Sequence, residues 1–143
     1  MTRDAIVQPV FSGSLGGRPL RFFKAPRPGP HLVWHAVDDL HHCLAMPRDL
    51  RRHYRQQLQR DYRKDVETIA TDQGIDIIAP HWMAQGLIQG LEEVRFAPRG
   101  TETAYAMEAG RAQKALFGDL PPAAGIEMAI AAFRNSNGLG DAS

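Results

Sequence analysis

The sequence predicts an α+β fold: two antiparallel β-hairpins packed with helices, and then a C-terminal helical pair. Three observations carry that prediction. Two pairs of short apolar stretches are each joined by a glycine-containing turn, as hairpins are. Five further stretches repeat apolar residues every three or four positions, the helical period. Finally, 143 residues with 43% hydrophobic and 23% charged side chains suit one domain with an appended helical piece. A chain of that size buries enough surface to fold without a metal or disulfide staple.

Residues 5–11 are apolar and read as a strand, and residues 12–17, with three glycines and two serines, as its turn. Residues 18–24 alternate, with Leu20 and Phe22 on one side, and give a second strand. Three prolines and a glycine in residues 25–30 fit neither a helix nor a central strand, so the chain reverses there. Residues 31–35 resume as a strand. Val37, Leu40 and Leu44 recur at helical spacing and make 36–45 a short helix. Pro47 suits the first turn of the next helix, which runs to about residue 59 with Leu50, Tyr54 and Leu58 as its apolar stripe. Residues 65–71 and 75–79 form the second hairpin around Asp72, Gln73 and Gly74. Pro80 opens a helix to residue 91, with Met83, Leu87, Ile88 and Leu91 on its apolar side and Gly86 and Gly90 four apart. Thr101 is the expected N-cap of helix 102–117, whose buried stripe is Tyr105, Ala109, Ala112 and Leu116, stopped by Gly118. Asp119 is the expected cap of the last helix, which has Pro121 and Pro122 in its first turn and Ile126, Ala129, Ile130 and Phe133 as its apolar face.

The formal net charge of +1 conceals an asymmetry: residues 1–64 carry twelve Lys/Arg against five Asp/Glu, and residues 65–143 carry five against eleven. A basic half of this kind suggests a face for an anionic partner. Its densest part is the second helix and the residues just beyond its end, where Arg48, Arg51, Arg52, Arg55, Arg60, Arg63 and Lys64 are interrupted only by Asp49 and Asp61. Arg48, Arg51, Arg52 and Arg55 fall away from the apolar stripe. Guanidinium groups match phosphate oxygens, so these seven are the candidate nucleic-acid-binding residues. Alternatively the ridge is the solvated side of an amphipathic helix.

Three stretches also resemble a known family. Gly17-Arg-Pro-Leu-Arg-Phe-Phe23, then Leu32-Val-Trp-His-Ala-Val-Asp-Asp-Leu40, resemble the opening of the BRO N-terminal domain of phage and viral antirepressor-like proteins. Thr68-Ile-Ala-Thr-Asp-Gln-Gly-Ile-Asp-Ile-Ile-Ala-Pro80, with Gly86-Leu87-Ile88 after it, resembles that family's second hairpin and the helix that succeeds it. The likeness spans about residues 11–91. It implies a small α+β DNA-binding domain over 1–95, with 101–136 as a helical extension packed on it and 137–143 as a frayed tail. It implies no catalytic residues and no cofactor, and it transfers no DNA contact by motif. The expectation is a non-enzymatic DNA-binding regulator of antirepressor type; the alternative is a protein-interaction or self-associating module, joined through the oppositely charged halves and the alanine-rich face of 102–117.

Other chemistries find less support. Cys43 is the sole cysteine, which excludes an internal disulfide and a four-cysteine zinc site; it reads as a small core residue. No apolar run nears the ~20 residues of a membrane span, and the first residues lack a secretion-signal layout, so a cytoplasmic protein is expected. His35, Asp38, Asp39, His41, His42 and Cys43 crowd together, and pairs three or four apart can converge on a metal. No zinc motif accompanies them, so they read as partly exposed helix histidines and first-turn acids, with no metal; a metal-dependent hydrolase around His35–His42 is the lesser alternative. Neither a Gly-x-Ser-x-Gly elbow nor a phosphate loop occurs. Trp34 reads as core; Trp82, at a helix start, as either core or a stacking surface.

Overall fold

A computed structural model describes residues 5–137. The chain runs β1 (Phe11–Leu15), β2 (Arg18–Phe23), β3 (Trp34–Ala36), α1 (Val37–Cys43), α2 (Arg48–Asp61), β4 (Glu67–Thr71), β5 (Gly74–Ala79), α3 (His81–Glu93), α4 (Thr101–Phe117) and α5 (Pro122–Ser136). The fold is α+β. The two hairpins do not stand apart: the three-residue β3 joins them into one antiparallel sheet, ordered β1-β2-β3-β5-β4. Among the described residues no single helix is long and apolar enough to cross a membrane. Of the tail expected to fray, residues 138–143 lie outside the described residues.

The first strand lies later than its apolar content indicates. Residues 5–10 are not strand, although the Val7 and Val10 N–H groups donate to Ala70 O and Phe22 O, and the serine- and glycine-rich Phe11–Leu15 is the strand. Helix α4 explains the shift. It passes so close over β1 that a Cβ at Gly13 would sit 2.7 Å from the Glu108 carboxylate, and that carboxylate accepts the Ser14 N–H at 2.8 Å. Gly13 faces α4 between Phe11 and Leu15, while Ser12 and Ser14 are exposed. The turn proper is Gly16–Gly17, both at positive φ (59° and 79°), which glycine adopts without strain.

β3 stops early, and α1 begins at the next residue. Phe22 pairs with His35 and His35 with Ala79, so beyond Ala36 strands β2 and β5 diverge around α1. Arg21 spans that gap. Its guanidinium binds Asp39 at the start of α1 (2.8 and 3.1 Å) and Asp76 on β5 (both 3.0 Å). Its backbone N–H also donates to Asp39, and Thr71 on β4 donates to Asp76 at 2.7 Å. One charged cluster thus ties four elements together where ladder hydrogen bonds are missing. Asp38 and Asp39 are therefore more than first-turn acids: Asp39 belongs to this cluster, and Asp38 pairs with Arg55.

The main core lies between one side of the sheet and the helices, and it includes Leu20, Phe22, Leu40, Met46, Ile88, Tyr105 and Ala112. The opposite face carries a smaller cluster of Phe23, Trp34, Ala36 and Ile78. Trp34 is buried there beneath the Arg27 guanidinium, 5.2 Å from the ring centre.

Several side chains turn another way than periodicity indicates. Leu50 is exposed, so α2 is held by Leu58, with Tyr54 half-buried. Neither expected cap forms. Thr101 is the first residue of α4 and donates to Pro98 O at 2.6 Å, while Glu92 accepts the N–H groups of Gly100 and Glu102. Helix α5 starts after Pro121, and Asp119 does not cap it. Its face of Ile126, Ala129, Ile130 and Phe133 points to solvent; Ala132 is the buried residue instead. The reason is the contact α5 makes. It leans on the proline-rich loop after β2, with Asn135 donating to Pro30 O and Ser136 accepting the Leu32 N–H, and this turns its small and polar side inward.

Candidate nucleic-acid interface

Helix α2 carries the basic ridge. At about 100° per residue from the buried Leu58, Arg51 lies near 20°, Arg55 near 60°, Arg48 near 80° and Arg52 near 120°. The four form one continuous flank rather than the side opposite the core. Arg51, at its inner edge, is half-buried and donates to Met46 O at 2.8 Å. Arg55 pairs with Asp38 at 3.0 Å, both partly exposed, a surface contact of ~1 kcal/mol or less that a phosphate can replace. Arg48 and Arg52 are exposed and have no side-chain partner among the described residues.

The remaining three do not join this flank as a single ridge. Arg60 faces about 200° from Leu58 and pairs with the neighbouring Asp61. Arg63 and Lys64 are exposed in the turn after α2. Arg18, which no sequence pattern singles out, lies at the C-terminal end of α1, where its guanidinium donates to His42 O. No local spacing signals this, since Arg18 and His42 are 24 residues apart.

Among the described residues, none of the seven candidates pairs with an acid from residues 65–143. Five of those acids are engaged elsewhere: Asp76 by Arg21, Glu67 by Arg27, Glu92 at the start of α4, Glu102 by Gln85 and Gln89, and Glu108 by Ser14 and Arg111. The two halves of the chain therefore do not neutralise each other across α2. The alanine-rich face of α4 is no association surface either, because Tyr105, Ala109 and Ala112 are inside the core.

On its other flank α2 borders an open apolar groove of about 380 Å³ against α3. Gly86 and Gly90 form its bare floor, with nothing within 4 Å of either Cβ position. Trp82 is 39% exposed and lies 6.3 Å from the Tyr62 ring at the groove, so it is a surface side chain.

The histidines are not the helix-surface groups that their sequence context indicates; two of them are core. His35 is 3% and His41 1% exposed, while His42, the third of that cluster, faces solvent. His35 and His81 pack on Tyr105 (6.1 and 5.6 Å between ring centres) and His41 packs edge-on to Tyr54 at 5.1 Å. The His35 and His41 Nδ1 atoms and the Tyr105 hydroxyl are buried without a hydrogen-bond partner among the described residues. Burial, reinforced by the charges of His41 and His81, pushes His35 down to about 3. Burial, with Arg51, Arg55 and His42 nearby, pushes His41 down to about 4. Among the described residues no three His, Cys, Asp or Glu side chains are placed to share a metal ion. Cys43 is half-buried, its thiol pushed up to about 11 mainly by burial, so it is a poor nucleophile.

Compared with known proteins, the chain matches no family model, and no curated protein and no solved structure is significantly similar to it.

Proposed function

We propose that this chain is a non-enzymatic, cytoplasmic DNA-binding regulator of the phage antirepressor type, built on a BRO-N-like domain. Arg48, Arg52 and Arg55 contact phosphates along the flank of α2, with Arg63 and Lys64 extending the contact and Arg51 supporting it. The observation that supports this reading is the exposed arginine flank left uncompensated by acids of the second half of the chain. Phosphate contacts of this kind give affinity and orientation without sequence choice.

Fluorescence anisotropy with a labelled duplex, repeated at increasing salt, tests the reading. Neutralising four or five phosphates gives a log–log slope of about −4. Arg48→Glu combined with Arg52→Glu should weaken binding at least roughly tenfold at low salt. Both side chains are exposed and unpaired among the described residues, so the helical circular dichroism should be unchanged. Absence of binding, or binding indifferent to salt and to this double reversal, refutes the proposal. A protein-interaction module without nucleic acid is then the better reading.

A further inference from the structure

Beside the end of α2 lies a polar cleft of about 230 Å³, bounded by the turn that follows α2, the start of α3 and the end of α5. Trp82 lines it, and also lines the apolar groove between α2 and α3. Lys64 and Arg27 line the same cleft. Lys64 is exposed and its ammonium has no partner among the described residues. Arg27 is already held in place: its guanidinium lies over Trp34 and donates to Lys64 O at 3.1 Å. Its contact with Glu67, 3.5 Å long between partly exposed groups, is one that a phosphate can replace. Asp65 is the carboxylate among the described lining residues.

We infer that this cleft takes one unpaired base of a DNA strand, stacked on Trp82, with the phosphates next to it on Lys64 and Arg27. The inference rests on the DNA reading, whose phosphate contacts extend to Lys64, and it names the kind of DNA preferred. A partly exposed aromatic ring offers a surface on which any base can stack, and cations beside it meet the backbone; unpaired strands are held in this way. Other ligands fit the same residues less well. A free phosphate has no use for the ring. A wholly apolar ligand has a better site in the neighbouring groove. A metal cation would meet Lys64 and Arg27 as like charges. Size favours a strand over a free small molecule. The cleft is smaller than the ~300–1,000 Å³ pockets that enclose such molecules, and it opens to solvent, so the rest of the strand can stay outside. Asp65 selects among bases: a carboxylate accepts from an amino group, so a base edge that donates, such as that of adenine, suits it.

Fluorescence anisotropy on the full chain with three labelled duplexes tests it: one fully paired, one with a single unpaired adenine, and one with an abasic residue at that bulge. The abasic duplex keeps the bulged backbone and lacks the base. The adenine bulge should bind about tenfold more tightly than either of the others, and should quench tryptophan fluorescence. Trp82→Leu should abolish both the preference and the quenching while binding the paired duplex as the parent does, which also shows that it folds. Trp82→Phe keeps an aromatic face and should retain most of the preference. Arg48→Glu with Arg52→Glu should weaken all three duplexes together and leave their order unchanged. Equal binding of the three duplexes by the parent overturns the inference and leaves the DNA reading standing. So does a preference that the abasic bulge shares or that survives in Trp82→Leu. Binding of none of the three overturns both.

Discussion

Acidification should unfold this protein between about pH 6 and 4. His35 and His41 are held neutral in the fold, pushed down to about 3 and 4 by burial first and by neighbouring positive charge second. In the unfolded chain each titrates near 6.5. Stability is therefore whole above pH 6.5 and falls as the pH drops, because the unfolded state takes up protons that the folded state refuses. Each histidine removes about 1.4 kcal/mol per pH unit, on the order of 7 kcal/mol for the two between pH 6.5 and 4. That is comparable to the entire stability of a typical domain, ~5–15 kcal/mol. His81, also lowered by burial, acts in the same direction. So does Asp76 at still lower pH: burial raises its pKa, but hydrogen bonds from Arg21 and Thr71 more than offset this and leave it below the ordinary carboxylate value. Buried Trp34 offers a fluorescence readout. The double variant His35→Leu, His41→Leu should shift the acid midpoint at least roughly one unit lower. An acid limb that these substitutions leave in place would disprove the account.

Arg21→Met should be the most damaging single substitution outside the apolar core, costing ~3–5 kcal/mol. The guanidinium is buried; hydrogen bonds to Asp39, together with those to Asp76, outweigh the lowering effect of that burial and raise its pKa. Without it, the largely buried Asp39 and Asp76 lose the cation that both bind. The loss also removes the connection between β2 and β5 at the point where β3 ends. Urea unfolding would read the drop in midpoint. Adding Asp76→Leu to Arg21→Met should recover part of the loss, because the uncompensated charge disappears. A double variant less stable than Arg21→Met alone would mean that shape, rather than charge, sets the cost.

Hairpins and helices are legible in the sequence because glycine turns and helical periods are local signals. The basic flank of α2 is legible for the same reason. Long-range partners are not: Arg21 meets acids 18 and 55 residues away, and no pattern joins them. His41 shares the helical stripe of Val37 and Leu44, so its burial is available to periodicity, but its polarity argues the other way. The stripe of α5 looks the same in sequence whether it faces inward or outward. What decides its direction is the set of hydrogen bonds from Asn135 and Ser136 to the proline-rich loop. The position of β1 is hidden because its glycine and serines are residues that elsewhere signal a turn.

The junction at Ala36–Val37, where strand becomes helix with no intervening residue, has a consequence for sequence drift. Adding or deleting one residue there would rotate Asp38 and Asp39 by about 100°, swinging one off Arg55 and the other off Arg21 together. Length variation in this protein should therefore be excluded at that joint, where the reading phase of the helix is locked to both sides of the sheet.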